Sequence, residues 1–120
     1  MDAPIQRTRE DGTVTIRVLG EIDFTNADDV ARGLRDALGD DSPAALRIDL
    51  ADATFIDSAG LGALIEGYRE ATERHVAYAV VNPSRPLRRI LTVTGLGVLF
   101  GVADRDEPLV RPATTADSGA

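Results

Sequence analysis

The sequence has no cysteine, no lysine and no tryptophan, and His75 is the single histidine among its 120 residues. Without cysteine, the chain can form neither disulfides nor thiolate metal sites, and thiol catalysis is excluded. Without lysine, it cannot carry the phosphate-binding P-loop motif, which requires that residue. One histidine would leave only carboxylates as further ligands, so we expect no bound metal and no cofactor.

Long apolar runs are also missing. No run approaches the roughly 20 residues that a membrane-spanning helix needs, and the opening MDAPIQRTRE lacks the basic-then-apolar order of a signal peptide. The formal net charge is −7 at pH 7, which disfavours binding to the phosphates of nucleic acid. We therefore expect a cytoplasmic chain with neither a membrane nor a nucleic-acid partner.

The apolar residues that are present make up 43% of the chain, as expected for one domain with one core. Their periodicity predicts strands at residues 5–9, 14–19, 46–50, 76–81 and 98–102. It predicts helices at 27–38 and about 59–74, and a third helix that Ser84 caps and Gly95 ends. Helices that alternate with strands in this order indicate an α/β fold: one mixed sheet of about five strands, packed with three main helices.

The boundaries of the elements follow from turn and cap residues. The Asp-Gly pair at 11–12 predicts a tight hairpin between the first two strands. Thr25, with Asp28 three residues later, predicts the first helix cap, and Gly39 predicts the end of that helix. Loops are expected at 20–23 and 51–54. We expect residues 1–103 to form the domain and the acidic, proline-containing residues 104–120 to be a tail that is disordered at its end.

One serine is placed unusually among small residues. Asp57-Ser58-Ala59-Gly60 follows a predicted strand and opens a predicted helix, so Ser58 presents its hydroxyl beside residues too small to cover it. Either Asp57 or Ser58 could cap this helix. Each of Gly60 and Gly62 costs roughly 1 kcal/mol relative to alanine, which indicates a close approach of another surface. On these residues alone, a plain helix cap is favoured over a modification site.

Ser58 is not expected to be a catalytic nucleophile. A nucleophilic serine needs an adjacent base, but His75 lies near the far end of the helix that Ser58 opens, roughly 25 Å away at about 1.5 Å per residue. The stretch also lacks the first glycine of the hydrolase nucleophile elbow. We therefore expect a chain that is not an enzyme.

Residues 46–65, LRIDLADATFIDSAGLGALI, resemble the signature of the STAS domain, and more narrowly that of the bacterial anti-sigma-factor antagonists. Gly20-Glu21-Ile22-Asp23 matches the family's loop after its second strand, and 82–83 and 94–96 match its late turn and the end of its third helix. The similarity spans about residues 5–103 and implies the STAS fold. One departure is that 104–112 contains two prolines, so the family's last helix is expected to be short or absent.

The resemblance implies a switch between partners. In this family, the unphosphorylated antagonist binds an anti-sigma factor that is also a serine kinase, and thereby frees a sigma factor. The kinase ends the interaction by phosphorylating the antagonist, and a phosphatase restores it. By motif match the phosphorylated residue is Ser58, and the residues at or near the contact surface are Asp23, Asp57, Ala59, Gly60 and Leu61.

Further expectations accompany this reading. Gly60 is expected to serve contact more than stability and to tolerate alanine, and the chain is expected to be a monomer or a weak dimer. The alternatives are a STAS subunit of an anion-transport or lipid-transport complex and a scaffold subunit of a stress-signalling assembly. Lipid-transport members often have threonine in place of the serine, so Ser58 favours the antagonist.

Overall fold

Four strands form one sheet in the computed structural model of the chain, which describes residues 4–102. The strands are β1 (Ile5–Glu10), β2 (Thr13–Ile22), β3 (Ala45–Ile56) and β4 (Ala77–Val81). The helices are α1 (Ala27–Asp41), α2 (Ser58–Glu73), α3 (Arg85–Val93) and α4 (Leu96–Leu99). The sheet order is β1-β2-β3-β4, antiparallel at its first pair and parallel at the other two. The mixed α/β sheet predicted from the sequence is confirmed.

A tight turn joins β1 to β2. Asp11 and Gly12 have φ angles of 51° and 80°, and positive φ at both central residues is what a two-residue hairpin of type I′ requires. The Asp-Gly hairpin is therefore confirmed. Because the turn sets the register, Thr8 lies opposite Thr15 and Ile5 lies opposite Val18.

One face of the sheet forms the core with α1 and α2. The two central strands supply the fully buried residues of this face, which are Val14, Ile16 and Val18 of β2 and Leu46, Ile48 and Leu50 of β3. Leu34 of α1 and Leu64 of α2 are equally buried against them. Burial of such side chains contributes roughly 1.5–3 kcal/mol each. The opposite face carries polar residues, among them Arg17.

The prediction of a strand at 98–102 is wrong. This segment forms the one-turn helix α4 and a turn, bounded by Gly95 and Gly101 with left-handed φ angles of 78° and 56°. Phe100 is fully buried in the core, where its ring centroid lies 6.1 Å from that of Tyr68. Val98 is 90% exposed. The apolar run at 98–102 resembles a strand in the sequence, although it forms the end of a short helix and a turn. Within residues 4–102 the sheet therefore has four strands rather than about five.

Several boundaries also differ from the sequence-based ones. The loops expected at 20–23 and 51–54 are largely strand, because β2 and β3 continue as a parallel pair to Ile22 and Ile56. Asn26, not Thr25, occupies the N-cap position of α1, and it makes no side-chain capping bond. That helix passes through Gly39 and ends at Asp41.

The third helix agrees with expectation, since the Ser84 hydroxyl accepts a hydrogen bond from the Leu87 N–H at 3.3 Å and proline lies in the first turn. The predicted tail at 104–120, including the short or absent last helix, lies outside the described residues. None of the helices in the described part of the chain has the length and hydropathy that a bilayer crossing demands.

Candidate functional site

The parallel pair β2–β3 carries two acidic residues to the same edge of the sheet. Ile22 and Ile56, the last residues of these strands, lie opposite each other. Asp23 and Asp57 therefore follow side by side, and the Asp57 N–H donates to the Ile22 carbonyl oxygen at 3.1 Å. This bond joins the start of α2 to the end of β2.

Asp57, rather than Ser58, is the N-cap of α2. Its Oδ1 accepts a hydrogen bond from the Gly60 N–H at 2.9 Å, the geometry of an N-cap aspartate. Its Oδ2 accepts a second bond, from the Phe24 N–H at 3.1 Å. One carboxylate therefore holds both the helix terminus and the loop that follows β2. The choice between Asp57 and Ser58, open from the sequence, is decided by these contacts.

Ser58 is the first residue of α2 and is exposed. Because Asp57 supplies the cap, the Ser58 hydroxyl makes no hydrogen bond to any residue within 4–102. Ala59 on one side and Asp57 on the other are half-buried and short. The hydroxyl is thus accessible to a reagent or an enzyme.

The Asp23 carboxylate is engaged within its own loop. Its Oδ1 accepts hydrogen bonds from the hydroxyl and from the N–H of Thr25, and its own N–H donates to the Asn26 side-chain oxygen at 3.0 Å. The Thr25 hydroxyl is the main reason that the pKa of Asp23 is lowered from its ordinary value, because this bond favours the ionised carboxylate. Asp23 therefore adds a fixed negative charge beside Asp57.

Gly60 is a packing residue, contrary to the expectation that it serves contact more than stability. It is buried, and a Cβ at this position would lie 2.6 Å from the Ile22 carbonyl oxygen and 3.0 Å from Ile22 Cγ2. The close approach that the glycines indicated is thus internal for Gly60. Gly62 differs, since a Cβ there would meet nothing within 4 Å. Leu61 is half-buried against the core.

Phe24 is the residue at this site that sequence reasoning missed. Its side chain is 80% exposed, and it borders a groove between α1 and α2. The available signal was a large aromatic residue inside a polar loop, Asp23-Phe24-Thr25-Asn26, where no helical or strand periodicity calls for an apolar side chain.

The lone histidine lies away from this site. His75 follows the C-cap of α2, at the opposite end of the helix from Ser58, and its φ angle is 59°. Within residues 4–102, no three histidine, cysteine, aspartate or glutamate side chains group together as metal ligands. Of the predicted site residues, the structure brings Asp23, Asp57 and Ser58 together and places Ala59 and Leu61 alongside them.

Comparison with known proteins assigns a family to this arrangement. The STAS domain family profile matches residues 4–107. The anti-sigma-B factor antagonist of Listeria monocytogenes is 30% identical over 96 residues, which cover 80% of this chain and 83% of that relative. A crystal structure of an anti-sigma factor antagonist from Mycobacterium paratuberculosis is 30% identical, with a TM-score of 0.73 and 97% of both chains covered. The Bacillus cell fate determinant SpoIIAA in its phosphorylated form has the same fold, with a TM-score of 0.67 at 21% identity over 97% of this chain and 99% of that one.

Proposed function

Because the chain belongs to the STAS domain family, we propose that it is an anti-sigma-factor antagonist whose switch is Ser58. In this proposal, the unphosphorylated chain binds an anti-sigma factor with serine-kinase activity and so releases a sigma factor in the cytoplasm. Phosphorylation of Ser58 ends the interaction, and a phosphatase restores it. The chain acts by binding and has no enzymatic activity of its own.

The observation that carries this proposal is the exposed hydroxyl of Ser58. A serine at the start of a helix is commonly the cap, and its hydroxyl is then occupied. Here Asp57 holds the Gly60 N–H, while the Ser58 hydroxyl is exposed and makes no hydrogen bond within the described residues. A serine that is dispensable for the cap and open to solvent suits a kinase substrate. The relatives named as anti-sigma antagonists support the same reading.

The charges around Ser58 supply the physical basis of a switch. A phosphoryl group adds about −1.5 to −2 charge at neutral pH, beside the carboxylates of Asp57 and Asp23. The helix N-terminus attracts an anion, but its Gly60 N–H is already bound to Asp57. An additional anion forced into a desolvated interface weakens binding, and each 1.4 kcal/mol lost corresponds to about tenfold in affinity.

The proposed contact surface surrounds Ser58, which is itself exposed. It comprises Asp23, Asp57, Ala59 and Leu61, while Gly60 supports the surface from beneath by packing on Ile22. All of these residues lie at the ends of β2 and β3 or in the first turn of α2. A partner that covers this surface would therefore cover the Ser58 hydroxyl as well.

The test uses a panel of purified anti-sigma serine kinases from the genome that encodes this chain. Each kinase is incubated with the chain and magnesium-ATP, and intact mass reports phosphoryl transfer. We expect one kinase to phosphorylate the wild type but not Ser58→Ala. The control is Ser42→Ala, which removes another exposed serine hydroxyl and should be phosphorylated like the wild type. We also expect that kinase to bind the unmodified chain at least about tenfold more tightly than the phosphorylated one. Transfer to another residue, or equal affinities, would contradict the switch. Binding to a permease or a stress-signalling assembly instead of any kinase would favour the alternatives.

A further inference from the structure

A groove between α1 and α2 begins at Phe24, and Ala59, the residue after Ser58, is part of its lining. Its lining includes Ala27 and Ala31 of α1 and Ala59, Gly62 and Ala63 of α2. The side chains of the first two and of Ala63 are buried, so their methyl groups form an apolar floor. At Gly62 there is open space, because a Cβ there would have no neighbour within 4 Å.

The backbone that carries the aromatic residue at the end of this groove is held in position. Phe24 is 80% exposed, yet its N–H is bound to the Asp57 carboxylate at 3.1 Å. The loop around it is fixed further by the bonds between Asp23 and Thr25. An exposed aromatic residue on an ordered backbone binds with a smaller entropic cost, and aromatic residues are enriched among the dominant contacts of interfaces.

The rim of the groove is negatively charged. Asp28 and Glu66 line it and are exposed, and neither has an ion-pair partner among residues 4–102. Among the described residues, no arginine or histidine is part of the lining. Charge complementarity therefore favours a partner segment that is positively charged.

From these observations we infer that the groove is a second anchor point for the anti-sigma factor, which deepens the proposed function and rests on it. The geometry points to an apolar side chain of the partner, carried on a basic segment, that lies on the alanine floor against Phe24. Phosphorylation acts at Ser58, whereas this groove contributes affinity for the anti-sigma factor.

The first test removes the aromatic anchor. The probe is the purified anti-sigma kinase with the highest affinity in the panel described above, and binding is measured by calorimetry. We expect Phe24→Ala to weaken binding about 30-fold, the effect of a dominant interface residue. The control is Val93→Ala, which truncates a side chain that is 78% exposed at the end of α3. We expect less than about a threefold change for this control.

The second test fills the groove instead of emptying it. Gly62→Leu places a side chain in the open space, and we expect binding to weaken at least about tenfold. Gly39→Leu is the matched control, because Gly39 is also a helical glycine with nothing within 4 Å of its Cβ position. It lies near the far end of α1 and should leave affinity unchanged. Circular dichroism and melting midpoints verify that both variants are folded.

The third test concerns the rim charge. We expect Glu66→Gln to lower the association rate and to reduce its dependence on salt, since a rim charge acts mainly on association. Glu73→Gln removes an exposed carboxylate at the other end of α2 and should change neither.

These outcomes separate the groove from the switch. Suppose that a kinase binds the wild type and that phosphorylation of Ser58 abolishes this binding. If the folded variants Phe24→Ala and Gly62→Leu then bind as tightly as the wild type, the inference about the groove is overturned and the proposed function stands. If no kinase in the panel binds the wild type, the inference about the groove and the proposed function are both overturned.

Discussion

Gly60 packs directly against Ile22, so that a Cβ on residue 60 would lie 2.6 Å from the Ile22 carbonyl oxygen. The same oxygen accepts the N–H of Asp57 at 3.1 Å. The start of α2 therefore lies on the end of β2 with no room for a side chain between them. Any group added at residue 60 would push apart the two elements that carry the candidate site.

Gly60→Ala is expected to destabilise the fold, although alanine is the better helix former. The added methyl group overlaps backbone, so we expect a loss of about 1–3 kcal/mol in the free energy of unfolding. The matched variant is Gly62→Ala, in the same helical turn with open space, which we expect to be neutral or to gain up to about 1 kcal/mol. Urea denaturation measures both. Equal stabilities for the two variants would show that the contact with Ile22 relaxes without cost.

Asp57→Ala is expected to cost about 0.5–2 kcal/mol, the usual effect of losing an N-cap side chain. It also removes the acceptor of the Phe24 N–H. Ser58→Ala is the control, and we expect it to leave stability within about 0.5 kcal/mol, because its hydroxyl makes no hydrogen bond within the described residues. Chemical denaturation of both variants decides which side chain caps α2; a larger loss for Ser58→Ala would reverse the assignment.

A negative charge at residue 58 is expected to leave the fold intact. The helix N-terminus favours an anion, while Asp57 opposes it, so the two effects offset each other. We expect circular dichroism spectra of Ser58→Asp and of the phosphorylated chain to match the wild type, with melting midpoints within about 4 °C, the shift expected for roughly 0.5–1 kcal/mol. An unfolded phosphorylated chain would mean that loss of binding reflects loss of structure.

The pKa of Asp23 is expected to depend on Thr25. The Thr25 hydroxyl is the main cause of the lowered pKa, so Thr25→Val should raise it towards its ordinary value of 3.8. Because the folded pKa is depressed, the ionised carboxylate stabilises the loop above the unfolded pKa, and this contribution is lost as pH falls through the folded pKa. Carboxyl carbon shifts followed by NMR through an acid titration measure both variants. An unchanged pKa in Thr25→Val would assign the shift to the backbone N–H groups.

Phe100→Ala is expected to be strongly destabilising, by about 3–5 kcal/mol. The ring is fully buried and packs on the rings of Tyr68 and Tyr78, with centroids 6.1 and 5.7 Å away. The neighbouring Val98→Ala should stay within about 0.5 kcal/mol, since Val98 is 90% exposed. Thermal unfolding compares the two. Similar midpoints would mean that α4 is not anchored through Phe100.

Local patterns in the sequence predicted most of the fold. The Asp-Gly hairpin and the Ser84 cap require only nearby residues, and the structure confirms both. The extension of β3 to Ile56 was not predicted because its polar residues read as a loop, whereas pairing with β2 keeps them in a strand. The segment around Phe100 was misassigned because one buried ring on a short helix and a short strand produce similar apolar runs.

The sequence by itself determined the α/β class, the family resemblance and the serine at the start of α2, since each depends on residue type and short-range spacing. The tertiary structure alone decided whether Asp57 or Ser58 caps that helix. It also decided that Gly60 packs within the chain rather than against a partner, and where Phe24 lies. These depend on the distance between β2 and α2, elements that are separated along the chain. Gly60 and Gly62 are alike in the sequence; one lies against a carbonyl oxygen and the other faces open space, because successive helical residues point in different directions.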